Sequence, residues 1–207
     1  MKNIIITFVG VGILLLGGCA QQTSSNATSF IDPAWDGGRA SSILIEVQQA
    51  SLREREAIER ASVEALAKQG IAATASIDIF LPTRTYSAAE RKKLARNSGS
   101  NHVLIITQTD KNIEHSYTPP MRARPYGGFG WGSGGYHYGG VGIGIDTGLH
   151  RAEPIATYRA ILAPLSTDKT IWVGDFVTQG PTGMSFTRVG ERFANYLVRQ
   201  LQADGMI

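Results

Sequence analysis

The sequence is almost without cysteine: Cys19 is the only one. A single thiol excludes an intrachain disulfide, a Cys-x-x-Cys redox pair and a cysteine-ligated zinc. Histidine is also scarce. His102, His115, His137 and His150 show neither H-x-x-x-H nor H-E-x-x-H spacing. Tyr136-His137-Tyr138 offers one ligand, and one ligand is not a site, so no metal is expected. Charge nearly balances, with 20 Lys and Arg against 17 Asp and Glu, an excess too small to imply nucleic acid. No apolar run approaches the roughly 20 residues of a membrane span. Catalytic motifs are missing as well. There is no G-x-S-x-G, and Ser185 and Asp175 have no histidine at a recognisable spacing. Asp78 and Asp110 fall in strand regions where a solvated face explains both. No catalytic residue and no cofactor are assigned.

What the sequence does have begins at its N-terminus. Lys2 gives a positive start, residues 4–16 form an uncharged apolar stretch, and small Gly17 and Gly18 precede Cys19. This is the plan of a secretory signal. The plainer alternative is an uncleaved anchor with an incidental thiol. Leu16-Gly17-Gly18-Cys19 resembles the lipobox of bacterial lipoproteins. The resemblance implies cleavage between Gly18 and Cys19, a diacylglycerol on the Cys19 sulfur and an N-acyl chain on the new amino group. Two lipid signals are enough for stable anchoring. Ala20 and Gln21 follow where an Asp would imply retention at the inner membrane. The resemblance therefore implies the periplasmic face of the outer membrane. Removing Lys2 with the signal leaves 19 basic against 17 acidic residues, a net charge of +2.

Residues 19–42 are rich in Gln, Ser, Thr, Asn, Asp and Gly. Such a stretch cannot bury enough to fold alone and is expected to be a lipidated, flexible tether, with Phe30 and Trp35 docking its second half. A single domain is expected over 43–207. Ile43, Leu44, Ile45 and Val47 read as a strand. Ser51-Leu52-Arg53-Glu54 is a capping box opening a helix that Gly70 ends. Residues 71–81 alternate as a half-buried strand closed by Pro82. Ser87-Ala88-Ala89-Glu90 opens a second helix, and Val103-Leu104-Ile105-Ile106 suits a strand covered on both faces. A hairpin follows over 155–178, turning at Ser166-Thr167-Asp168-Lys169, with Trp172 and Gly174 read as packing residues. Last comes an amphipathic helix over 185–203. The expected fold class is α/β: a mixed five-stranded sheet with three parallel strands, extended by the hairpin and packed by helices.

Residues 117–148 interrupt this order. Of 24 glycines, 11 lie between Gly127 and Gly148, so the G-x-G-x-x-G match at Gly130 is expected by chance and lacks the strand–helix context of a dinucleotide site. Arg122, Arg124, Tyr126, Phe129, Trp131, Tyr136, His137 and Tyr138 make this stretch a candidate binding loop. Aromatics in glycine can stack on sugar or protein, and arginine pairs with phosphate or carboxylate. The plain alternative is an insertion that binds nothing.

The first helix ending at Gly70, Phe80-Leu81-Pro82 leading to Tyr86-Ser87, residues 103–106, Ile171-Trp172-Val173-Gly174 and the final helix together resemble bacterial outer-membrane lipoproteins of unassigned activity. The element pattern over 43–207 is similar to the N-terminal domain of TolB and to CsgG-type secretion lipoproteins. The resemblance implies a non-catalytic binding or envelope-assembly role, with the membrane and an envelope protein or glycan as partners. The alternatives are an envelope hydrolase with a spatially assembled site, or a subunit of a secretion or adhesion assembly.

Overall fold

The computed structural model describes residues 24–36, 38–118, 149–167 and 169–207. Six strands and four helices follow one another as β1 (Ser24–Ile31), β2 (Ser42–Gln48), α1 (Leu52–Ala67), β3 (Ala72–Ala75), α2 (Ser76–Ile79), α3 (Ala88–Asn97), β4 (His102–Thr118), β5 (Leu149–Pro164), β6 (Trp172–Gln179) and α4 (Phe186–Ala203). They build one mixed sheet in the order β1-β6-β5-β4-β2-β3. β3, β2 and β4 are parallel, and β5, β6 and β1 continue antiparallel. The α/β class and the parallel core joined to a hairpin are as expected. The strand count is six, not five.

The sixth strand is β1, which lies in the stretch read as tether. Its sequence, Ser24 to Ile31, is polar and carries little apolar signal of its own. It forms because each residue pairs with β6, from Ser24 opposite Gln179 to Ile31 opposite Trp172. Trp35 packs against the core, edge-on to His102 at 6.3 Å. Phe30 does not dock and stays 62% exposed. A second difference concerns residues 71–81. β3 stops at Ala75, and the chain turns into the single helical turn α2.

Both capping boxes form as expected. The Ser51 and Ser87 hydroxyls accept the N–H of Glu54 and Glu90, whose carboxylates accept the N–H of Ser51 and Ser87 in return. α1 and α4 cover one face of the sheet. Ile43, Ile45 and Val47 meet Ile58 and Leu66 of α1, and Tyr158 stacks on Phe193 of α4 at 4.0 Å. Alternation sends Leu44 the other way, into a small cluster with Phe80, Ala95 and Leu165 under α2 and α3. Two glycines are required by close approach. A Cβ at Gly190 would stand 2.6 Å from Ile58 Cγ1, where α4 crosses α1, and one at Gly174 would stand 2.6 Å from the Trp172 ring. Trp172 is fully buried and donates from its indole nitrogen to Asp204 Oδ2 at 2.7 Å.

β4 and β5 outrun their neighbours. β2 pairs with β4 only to Thr107, and β6 pairs with β5 only from Ile155 onward. Residues 113–118 and 149–154 therefore project as a two-stranded arm, with 108–112 leading into it. A bulge at Thr109 marks its root.

Candidate interaction surface

In doubly wound sheets, ligands bind beyond the carboxyl ends of parallel strands, where neighbouring strands send their connections to opposite faces. Here that place lies between β2, which continues to α1, and β3, which continues to α2 and α3 on the other face. It is filled by the chain itself. Glu59 of α1 is fully buried. Its carboxylate accepts from Val47 N–H at 3.0 Å and Ile77 N–H at 2.8 Å. It also accepts from Ser76 Oγ at 2.8 Å and Arg55 Nε at 3.0 Å. Arg55 Nη2 reaches Ser76 Oγ at 2.8 Å and closes the ring. β3 ends opposite Ile45, and Glu59 satisfies the N–H of Val47 that the missing strand would have paired. Four donors saturate the carboxylate where a bound anion would sit.

A second polar group lies at the root of the arm. Glu54 is buried and accepts both Ser51 Oγ at 2.6 Å and Lys111 Nζ at 3.1 Å. Burial acts to raise its carboxyl, but the hydrogen bonds from Ser51 and Lys111 outweigh it and hold the group below its usual range. Tyr158 lies near by. Burial pushes its phenol up to about 12. The Gln108 amide beside it acts the other way, yet neither Gln108 Nε2 nor the Tyr158 hydroxyl makes a hydrogen bond of good geometry. A phenol titrating there stays protonated at neutral pH and is no general base.

Among the described residues, a surface left open is the sheet face opposite α1 and α4, over β5, β6 and β1. The register sets Ile105, Ile161, Val173 and Phe30 in one row across four strands. Glu46 bounds the row on the β2 side and is held by Arg91 Nη2 at 2.6 Å. The next row carries Arg159 and Asp175 in a two-pronged pair at 2.7 and 2.9 Å. The arginine's hydrogen bonds hold the Asp175 carboxyl below its usual range. Val177, 45% exposed, lies in the third row. A hollow of about 190 Å³ opens beside Phe30, Asp32 and Val173. An apolar strip flanked by an ion pair already neutralised within the sheet has the anatomy of a contact surface, apolar at the centre and polar at the rim.

Most residues singled out in the sequence lie elsewhere. Gly18, Cys19, Arg122, Arg124, Tyr126, Phe129, Trp131, Tyr136, His137 and Tyr138 are outside the described residues, as is the side chain of His150. His102 is buried at the start of β4, with Nδ1 2.8 Å from Asn101 Oδ1, and burial lowers its pKa. His115 lies on the arm. Asp78 is committed to Arg60 by two bonds of 2.7 Å, and Ser185 caps α4 by accepting the Arg188 N–H. Sequence reasoning missed Glu59 and the open sheet row. Glu59 looks like any charged residue of an Arg- and Glu-rich helix, and the row exists only once four strands are in register. Among the described residues no group of three or more metal-binding side chains occurs, and no helix is long and apolar enough to cross a membrane.

No protein-family model matches the chain, and no curated relative does. Among solved structures it is similar to the PelC dodecamer from Paraburkholderia phytofirmans, at 13% identity and a TM-score of 0.49, over 86% of this chain and 98% of that one. It is also similar to the lipoprotein GNA1162 from Neisseria meningitidis, at 14% identity and a TM-score of 0.41, over 79% and 99% of the two chains. At such scores neither likeness bears on what this chain does.

Proposed function

We propose that this chain is a lipid-anchored protein of the bacterial envelope, facing the periplasm from the outer membrane through Cys19. Its domain serves a non-catalytic binding or assembly role. The observation that carries the reading is the contrast between the two places where a sheet of this kind can act. The crevice at the strand ends is saturated by Glu59, whereas, among the described residues, no helix covers the row in which Ile105, Ile161 and Val173 are half-buried and Phe30 is exposed. The partner that suits this row is another envelope protein presenting an apolar surface, and anchoring both to one envelope raises their effective concentration. The Gly17-Gly18-Cys19 sequence supports the anchor.

The test is site-specific photocrosslinking in cells. A photoreactive residue at Val173 or Val177 is expected to capture one discrete protein, whereas the same residue at Arg199 on α4 captures none. Identical patterns from both faces would refute the surface. Val173→Asp is expected to abolish the Val177 crosslink without changing the amount of protein. Cys19→Ser is expected to abolish lipid labelling and leave unprocessed precursor, and a processed, membrane-bound Cys19→Ser chain would refute the anchor.

A further inference from the structure

We infer that the β4–β5 arm is a membrane-contact element that lies against the bilayer holding Cys19. The inference rests on the lipid-anchored reading above and adds an orientation to it.

Direction comes first. β1 is antiparallel to β6, and Ser24 starts opposite Gln179, which pairs with Ile155. The chain thus enters the domain at the end of the sheet from which the arm projects. Lengths come next. Five residue steps separate Cys19 from Ser24 and span at most about 18 Å when fully extended. From the level of Ile155 the arm runs six further residues to Leu149, about 20 Å at the rise of an antiparallel strand. The leash is no longer than the arm beside it, so an arm standing along the membrane normal reaches the headgroup plane.

The chemistry of the arm agrees. Pairing places Lys111 opposite Ala156, Ile113 opposite Pro154 and His115 opposite Ala152, on the α1 and α4 side together with Tyr117. Ile113 is 44% and Tyr117 56% exposed. The acidic pair Glu114 and Glu153 shares the opposite face. Outward of that pair the arm residues 115–118 and 149–152 contain Arg151 and two histidines but no acidic residue. An amphipathic ring at the rim and a single arginine, with no acidic residue, toward the tip suit a phospholipid interface. A two-stranded ribbon has unpaired backbone along both edges, so its place is the headgroup layer and not the hydrocarbon.

The experiment uses the processed, lipidated full chain in vesicles of phosphatidylethanolamine and phosphatidylglycerol carrying a headgroup nitroxide. With Cys19 acylated, an introduced cysteine is the only thiol for an environment-sensitive fluorophore. Labels at Tyr117→Cys and His115→Cys are expected to be quenched several-fold more than one at Thr167→Cys, in the β5–β6 turn at the far end. Ile113→Cys is expected to fall between. Labelled chains that float with the vesicles but show no more quenching at Tyr117 and His115 than at Thr167 would overturn the inference and leave the anchor standing. Chains that do not float would overturn the anchor and this inference with it.

Discussion

Glu59 shows how one side chain can decide what a fold is available for. Its carboxylate replaces the last ladder bond of β3, caps α2 and fixes Arg55. Removing it strands several buried donors at once, which for a buried pair costs about 3–5 kcal/mol. Glu59→Ala is therefore expected to lower stability by that order in urea unfolding. Glu54 supports a second prediction, about pH. Its native pKa lies below the ordinary 4.5. Its contribution is thus fully present above the unfolded value and is lost as pH falls through the lower native one. Lys111→Met removes one of the hydrogen bonds that hold the native value down. The stability gap between parent and variant should be widest at pH 7 and narrow at pH 3, and the acid-unfolding midpoint of the variant should move to higher pH. A gap that does not change with pH would assign Lys111 to packing on Phe186, whose ring it faces at 5.5 Å.

At the scale of elements, legibility followed locality. α1 and α3 could be read to within a few residues because a capping box is a four-residue signal, and α4 because its stripe repeats over five turns. β3 is shorter than the alternation of residues 71–79 implies, because the force that turns the chain at Ser76 comes from Glu59, 17 residues earlier. β1 has the composition of a tether because its stability resides in β6, about 150 residues on. β1 is an edge strand with Ser25 hydrogen-bonded to Thr178 and Ser29 to Gln200. Amide exchange should therefore be slowed at every second residue of 25–31, those whose N–H points at β6, in line with antiparallel ladder pairing. Exchange there at random-coil rates would return the segment to the tether. The open row of the candidate surface was hidden for the same reason: Ile105, Ile161, Val173 and Phe30 are scattered in sequence, and only register unites them.

For the whole molecule, the short leash matters more than the anchor's strength. If Cys19 is lipidated as proposed, a domain entering its sheet five residues later is confined in height and in tilt. Inserting about 20 flexible Gly and Ser residues after Gln22 raises the root-mean-square reach to about 25–30 Å, beyond the length of the arm. Membrane attachment should persist, while quenching of a label at Tyr117 should fall toward that of the far-end label. Undiminished quenching would mean that the arm binds lipid by its own affinity, without help from proximity.

The bulge at Thr109 gives the arm a parity. Gln108 lies opposite Tyr158 and Asp110 opposite Thr157, leaving Thr109 over, and this one uncounted residue brings Lys111, Ile113 and Tyr117 to the helix side. One residue added to β5 opposite Thr109 would even the count and exchange the two faces beyond it. Glu114 and Glu153 would then stand where His115 and Ala152 stand now, and an arm that invites phospholipid would repel it. The same shift would turn Ala156, now fully buried, out of the core and break the pairing of residues 155–157 with β6. A single residue at this root thus decides which surface the arm presents to each side.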